Sequence, residues 1–328
     1  MAATFEQFDY RLRPAKSVER KMMCDAFRRL APFGSVDRYQ YVGFGANSFV
    51  DFILLHRSLG IKKMVSMEAR KDLEKRVLFN RPFRCIHVEF ESSAKALPKL
   101  DWKTPSIVWL DYDKALNGPM LGDVSLVATK VVPGSFICFS VAAGSGDDDD
   151  TDDETANDDG VESEAERMLR KIQRRLPLKV PLDVTHRSLK GWGTAEVYRR
   201  IITNEIESAL AQRNSLLRGK EKFEYRQFFN FHYADGAKMM TCGGLIVRQS
   251  QIPLVKQCDF GDLDFTRTRK QPYHIEIPIL THREMRYLDT KLPRPPRKRV
   301  SLPGVKPEEV QRYSHLYRYL HPFAETEL

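Results

Sequence analysis

YVGFGANSFVDFILLHRSLGI, residues 41–61, reads as a strand handed to a helix through a glycine turn. A short strand at 38–42 leads into Gly43-Phe44-Gly45-Ala46-Asn47. Glycine there lets the backbone approach a ligand, while the next helix offers unpaired N–H groups and the positive end of its dipole. Ser48 with Asp51 three residues on has the form of a capping box, predicting a helix through His56 that Gly60 stops.

Outward from this unit the alternation continues. Strands are expected at 62–67, ending at Glu68, at 85–90, at 106–110, ending in Asp111, and at 135–141; helices are expected at 70–79 and 120–130. Five strands in βαβ order predict a parallel sheet with helices on both faces. Residues 165–175 and 194–217 suit helices, and 223–233 and 237–248 suit an antiparallel hairpin turned by Asp235-Gly236, where Asp-Gly supplies the positive φ of a tight turn. Upstream, in YRLRPAKSVERKMM at 10–23, Pro14 and Ser17 start a helix that brings Lys16, Arg20 and Lys21 near one another. Its Met22, Met23, Ala26, Phe27 and Leu30 also fit the apolar side of an amphipathic helix. The expected organisation is a basic helical segment at 1–37, a sheet domain at 38–250 with a disordered acidic insertion at 144–164, and a proline- and charge-rich extension at 251–328 that packs back on the domain.

Charge is unevenly shared. Of 44 acidic residues, twelve fall between Asp147 and Glu166 with no basic residue among them, so the rest sets 53 basic residues against 32 acidic ones. GSGDDDDTDDETANDDG, 144–160, repels itself and has almost nothing apolar to bury, so it is read as a solubilising loop or an acidic cover for a basic groove. The basic remainder suits a solvated surface, or one that meets nucleic acid, a phosphorylated ligand or a protein partner. No apolar run approaches membrane-span length and the N-terminus has no signal-peptide core, so a cytoplasmic protein is expected. Five scattered cysteines without metal-ligand spacing read as reduced thiols.

Four strand ends carry the candidate chemistry. Gly43, Phe44, Gly45 and Asn47 form the turn, and Glu68, at the end of the next strand, is placed to accept hydrogen bonds from both ribose hydroxyls of a nucleoside. Glu91 and Ser92, after the third strand, are candidates for reading an adenine amino group. In WLDYDK, 109–114, Asp111 and Asp113 stand at the carboxyl end of a central strand, facing the crevice where open α/β sheets bind ligands. Asp111 would orient a nucleophile, position the reacting group indirectly or ligate a metal, and Lys114 would act as base if burial lowered its pKa. Arg13, Lys16 and Arg20 would hold a carboxylate or phosphate over the cleft. The turn lacks a third glycine, since Ser48 occupies that position, which disfavours nicotinamide chemistry.

A hairpin after five parallel strands resembles the Rossmann-like sheet of class I methyltransferases. The runs RPAKSVERKM, YVGFGANSFVDFILLHRSLGI, MVSMEA, IVWLDYDKAL and VVPGSF, with the closing YRYLHPFAE, are similar to a bacterial family labelled as O-methyltransferases. That resemblance implies S-adenosylmethionine as cofactor, with Gly43 and Gly45 at the glycine turn, Glu68 at the ribose, Glu91 and Ser92 near adenine and Asp111 at the fourth strand. It implies methyl transfer to an oxygen of an unknown acceptor. Tyr41 stands where such enzymes usually have an acid. The Asp111–Lys114 spacing resembles catechol-type O-methyltransferases, but Val141 to Gly144 lack the further aspartate–asparagine pair of a magnesium site, so no metal is expected. The alternative is a non-catalytic module of the same fold, binding a nucleotide, nucleic acid or a protein partner in a multi-component system.

Overall fold

The computed structural model describes residues 13–144, 163–293 and 300–320. The acidic stretch read as a disordered insertion lies outside the described residues except at its ends. There Ser163 and Glu164 do not belong to a loop: Ser163 caps a helix in a reciprocal box with Glu166.

Strands β1 (Gln40–Gly43), β2 (Lys63–Met67), β3 (Ile86–Glu89), β4 (Ser106–Ala115) and β5 (Ser135–Ala142) run parallel, and β6 (Phe223–Asp235) and β7 (Ala237–Arg248) follow as a hairpin. With β8 (Tyr273–Ile275) they make one sheet in the order β3-β2-β1-β4-β5-β7-β6-β8, in which β7 alone is antiparallel to its neighbours. All eight residues of β5 are buried, as in a sheet covered on both faces. The helices are α1 (Pro14–Arg28), α2 (Val50–Leu59), α3 (Glu74–Asn80), α4 (Ser93–Ala96), α5 (Gly118–Lys130), α6 (Glu164–Arg175), α7 (Gly193–Arg213), α8 (Ile252–Gln257), α9 (His282–Asp289) and α10 (Pro307–Leu316).

Side chains alternate across the strands and fill two cores. Tyr41, Trp109 and Cys138 face α1 and α2, together with Phe260, Phe265 and Tyr319 of the tail. Val42, Val108 and Phe139 face α5 and α7. Among the described residues no helix is long and apolar enough to cross a membrane.

Three local expectations are corrected. Ser48 and Asp51 do not form a capping box: α2 starts at Val50, behind Phe49 in the left-handed region (φ 49°), with no side-chain cap. The reason is packing. Phe49 is fully buried, and Asp51 turns inward to pair with Arg20. The fourth strand does not end at Leu110; it runs to Ala115, its register against β5 breaking after Asp111 and resuming at Ala115 opposite Ala142. The tail, read as poorly regular, adds β8 to the sheet, where it pairs in parallel with Phe231 to Tyr233 of β6. Gly60 closes α2 as expected, at φ 72° with its N–H on the His56 carbonyl.

Candidate functional site

Register fixes the geometry at the carboxyl edge. Gly43 is level with Ser66 of β2 and with Trp109 of β4. Two residues on from these level positions come Gly45 and Glu68, just past the ends of β1 and β2, and Asp111, within β4 where its register against β5 breaks. The Gly45 N–H donates to Ser66 Oγ at 3.0 Å. A Cβ on Gly45 would lie 2.6 Å from the Phe49 ring and from Ser66 Oγ, so only glycine lets the turn close over these two groups.

Around the turn, Glu68 is half-buried, and its Oε1 accepts from the Arg70 N–H at 2.9 Å. Asn47 is half-buried, and neither its amide nitrogen nor its oxygen has a hydrogen-bond partner although both atoms are buried. Phe44 meets Tyr112 edge-on, with ring centroids 5.2 Å apart. Tyr112 and Ser93 both donate to the buried carboxylate of Asp123 on α5, tying β4 and the start of α4 to α5. Glu91 is half-buried and ion-paired with Lys99, and Ser92 is exposed in front of α4.

Lys16 is the hub of a buried network that reaches the half-buried Asp111. Lys16 Nζ lies 2.7 Å from Asp111 Oδ1, 2.8 Å from Glu19 Oε2 and 3.0 Å from the Tyr233 hydroxyl, and 4.4 Å from the centre of the Trp109 ring. Burial alone pushes the ammonium pKa down, but Asp111, Glu19 and Tyr233 outweigh it and the net displacement is upward, so Lys16 stays charged. Burial pushes the Glu19 carboxyl up against the opposing pull of Lys16. Thr241 Oγ1 donates to Glu19, Ser140 Oγ lies 2.6 Å from Thr241 Oγ1, and Trp109 Nε1 donates to Ser140 at 2.9 Å. Asp235, in the hairpin, accepts from the Ala15 and Lys16 N–H groups at 3.1 and 2.8 Å, capping α1 from a distance in sequence.

The structure thus brings Gly43, Gly45, Asn47, Glu68 and Asp111 to one edge with Lys16. Lys16 and Arg20 turn inward onto Asp111, Glu19 and Asp51, so both charges are matched within the protein, whereas Arg13 stands half-buried just before α1. Asp113 and Lys114 lie on the exposed continuation of β4, and the burial that a base role for Lys114 required is not there.

A family model described as "Putative O-methyltransferase" matches residues 8–328. The chain belongs to that O-methyltransferase family. The match takes in α1 and the tail as well as the central sheet. No curated protein matches. Among solved structures, Trm1 from Pyrococcus horikoshii in complex with S-adenosyl-L-methionine is similar at 9% identity and a TM-score of 0.43, over 72% of this chain and 56% of that one. An rRNA methylase from Streptococcus thermophilus is similar at 7% identity and a TM-score of 0.32, over 65% and 89%. MtNAS, in a complex of a mutant with S-adenosylmethionine, is similar at 16% identity and a TM-score of 0.29, over 42% and 49%. The chain spans about half the length of MtNAS and of Trm1. These likenesses are loose, and the fold assignment rests on the strand order.

In this family member, sequence reasoning missed Glu19, Tyr233, Ser140 and Thr241, which surround Lys16 directly or through Glu19. One signal was present for Glu19, which stands three residues after Lys16 and so shares its helix face. Tyr233 and Thr241 sit more than 200 positions away in strands that read as apolar, and nothing local marks them.

Proposed function

We propose that this chain transfers the methyl group of S-adenosylmethionine to an oxygen nucleophile of an acceptor. The observation that carries the reading is the row Gly45–Glu68–Asp111: two carboxylates flank a close-approach glycine turn at the carboxyl edge of β2, β1 and β4, the crevice where open α/β sheets take their ligands. The unpartnered buried amide of Asn47 fits the polar tail of the same group, since it keeps a donor and an acceptor in reserve at the turn.

When bound, the cofactor supplies an electrophilic methyl on a sulfonium centre. Glu68 would hold the ribose hydroxyls, Glu91 and Ser92 the adenine, and Asn47 with the turn amides the methionine end. Asp111 would accept a hydrogen bond from the acceptor hydroxyl, orient its oxygen and take up the proton that the oxygen gives up as it is methylated. The charged Lys16 behind it would fix the carboxylate in place. Alignment supplies the larger share of the rate, so a strong base is not required.

Isothermal calorimetry with S-adenosylmethionine tests the reading. The wild-type chain binds, and Glu68→Ala weakens binding by about 1.5–3 kcal/mol, the value of hydrogen bonds to a charged group, or roughly ten- to a hundredfold. Unchanged affinity removes the ribose assignment, and no binding by the wild-type chain ends the cofactor reading.

A further inference from the structure

His232 of β6 points to the face of the sheet opposite Lys16, and nothing in the proposed reaction uses it. It is 2% exposed, and both ring nitrogens are buried without a hydrogen-bond partner. A neutral imidazole carries one N–H donor and one lone-pair acceptor, so two hydrogen bonds are forgone in a place where native proteins seldom forgo any. The ring stacks on Trp192, with centroids 4.9 Å apart and planes 24° from parallel. His274, its register partner on β8, meets it edge-on at 5.3 Å and meets Trp192 at 5.7 Å.

Three further observations point to a ligand. Trp192 is half-buried and immediately precedes α7, a helix of 21 residues whose N-terminus has no side-chain cap. Lys238 of β7 is exposed; its ammonium stands 5.4 Å from the centre of the Trp192 ring and donates to the Gly191 carbonyl at 2.9 Å. The charged and titratable groups that act on His232 are basic: burial, His274 and Arg199 push its pKa down to about 3, and Arg199 itself pairs with Glu196 through bonds of 2.8 and 2.7 Å. A flat ring surface, an ammonium and unpaired imidazole nitrogens meet at one point. That point lies at the carboxyl edge, because Met239, next to the register partner of His232, pairs with Ala142 at the end of β5.

We propose that Trp192, His232, His274 and Lys238 form a binding subsite for a planar, negatively charged group of the methyl acceptor. As an acceptor subsite it rests on the methyltransferase reading; as a binding site for aromatic anions it stands alone. Between β4 and β6 lie three strand spacings, about 14 Å, so the subsite does not reach the oxygen at Asp111. It reads the far end of a long acceptor and acts in specificity, with Trp192 as the stacking surface and Lys238 as counter-charge.

The test is a titration of the full chain with phenyl phosphate, followed by calorimetry and tryptophan fluorescence. Phenyl phosphate binds the wild type, while inorganic phosphate and benzyl alcohol, which carry the charge or the ring alone, bind at least tenfold more weakly. Lys238→Gln, a surface change that leaves the core intact, weakens phenyl phosphate at least tenfold, and Trp192→Leu does the same. Failure of phenyl phosphate to bind, or binding indifferent to Lys238→Gln, overturns the subsite; inorganic phosphate binding equally well overturns its planar half. S-adenosylmethionine affinity of the wild type, measured in parallel, separates the two proposals. Cofactor bound without phenyl phosphate sinks the subsite alone, and phenyl phosphate bound without cofactor sinks the methyl-transfer reading alone.

Discussion

Burying a lysine is costly unless its charge is met, and Lys16 is met twice, by Glu19 at 2.8 Å and by Asp111 at 2.7 Å. Removing it leaves the buried Glu19 and the half-buried Asp111 without their shared counter-charge. Lys16→Met is therefore expected to cost about 3–5 kcal/mol in urea unfolding. Adding Glu19→Gln should return part of that loss, because one of the orphaned charges goes with it; equal stability of the single and double variants would show that the pair is not coupled. His232 gives a second prediction, for acid. The folded ring is pushed down to about 3 from an ordinary 6.5, so below pH 6.5 the unfolded chain takes up a proton that the folded chain refuses. Stability is whole above that point and falls as pH drops toward 3, at up to about 1.4 kcal/mol per pH unit. His232→Phe should flatten that limb of a stability–pH curve, and superimposable limbs would refute the assignment. At this scale the sequence was readable for position: it placed Gly43 and Glu68 at strand ends and Asp111 on the fourth strand, where they stand. It was silent where the role depends on a partner from a distant strand, as with Tyr233 and Thr241, because spacing along the chain does not encode that meeting.

Among the elements, the β1–α2 turn shows how packing overrides a local signal. Ser48 and Asp51 have the spacing of a cap, yet Phe49 gains more by entering the core than Ser48 does by capping, and Asp51 gains more beside Arg20. The order of strands and helices was legible because hydrophobic period and glycine punctuation are local; the helix start and the length of β4 were not, because burial of Phe49 and pairing of Ala115 with Ala142 are tertiary. Gly45→Ala tests the turn. Its methyl would intrude within 2.6 Å of the Phe49 ring, and the displacement is expected to cost about 1–3 kcal/mol and to weaken cofactor binding along with stability. A stable variant with unchanged affinity would show that the turn has slack. Asp235 tests the junction of α1 with the hairpin: Asp235→Ala removes the cap on the Ala15 and Lys16 amides and should cost about 0.5–2 kcal/mol. Faster hydrogen exchange at those two amides is the specific readout, since a general loosening of the hairpin would not single them out.

For the molecule as a whole, the question is whether the first helix and the tail stand apart from the central sheet or fold with it, and the core answers through its aromatic rings. Phe27 of α1 meets Phe136 of β5 edge-on at 5.3 Å, while Phe260 of the tail lies 4.2 Å from Phe228 and 6.3 Å from Phe136. Phe265 joins Phe231 at 6.0 Å to Tyr319 at 5.9 Å, and the Tyr319 hydroxyl returns to Asp25 of α1 at 3.0 Å. The Lys21 ammonium donates to the Tyr319 carbonyl at 2.8 Å. The two ends of the described chain thus close over one face of the sheet, the face that holds Lys16 and Asp111, and a tail that unfolded early would uncover α1 and release Lys16. A tail that is part of the core cannot melt first. Phe265→Ala should then lower a single transition by about 3–5 kcal/mol, with near-ultraviolet and far-ultraviolet circular dichroism moving together. Two separated transitions, with S-adenosylmethionine binding surviving the first, would mean that the site is held by the sheet alone and that the aromatic seam is a late addition to a fold that does not need it.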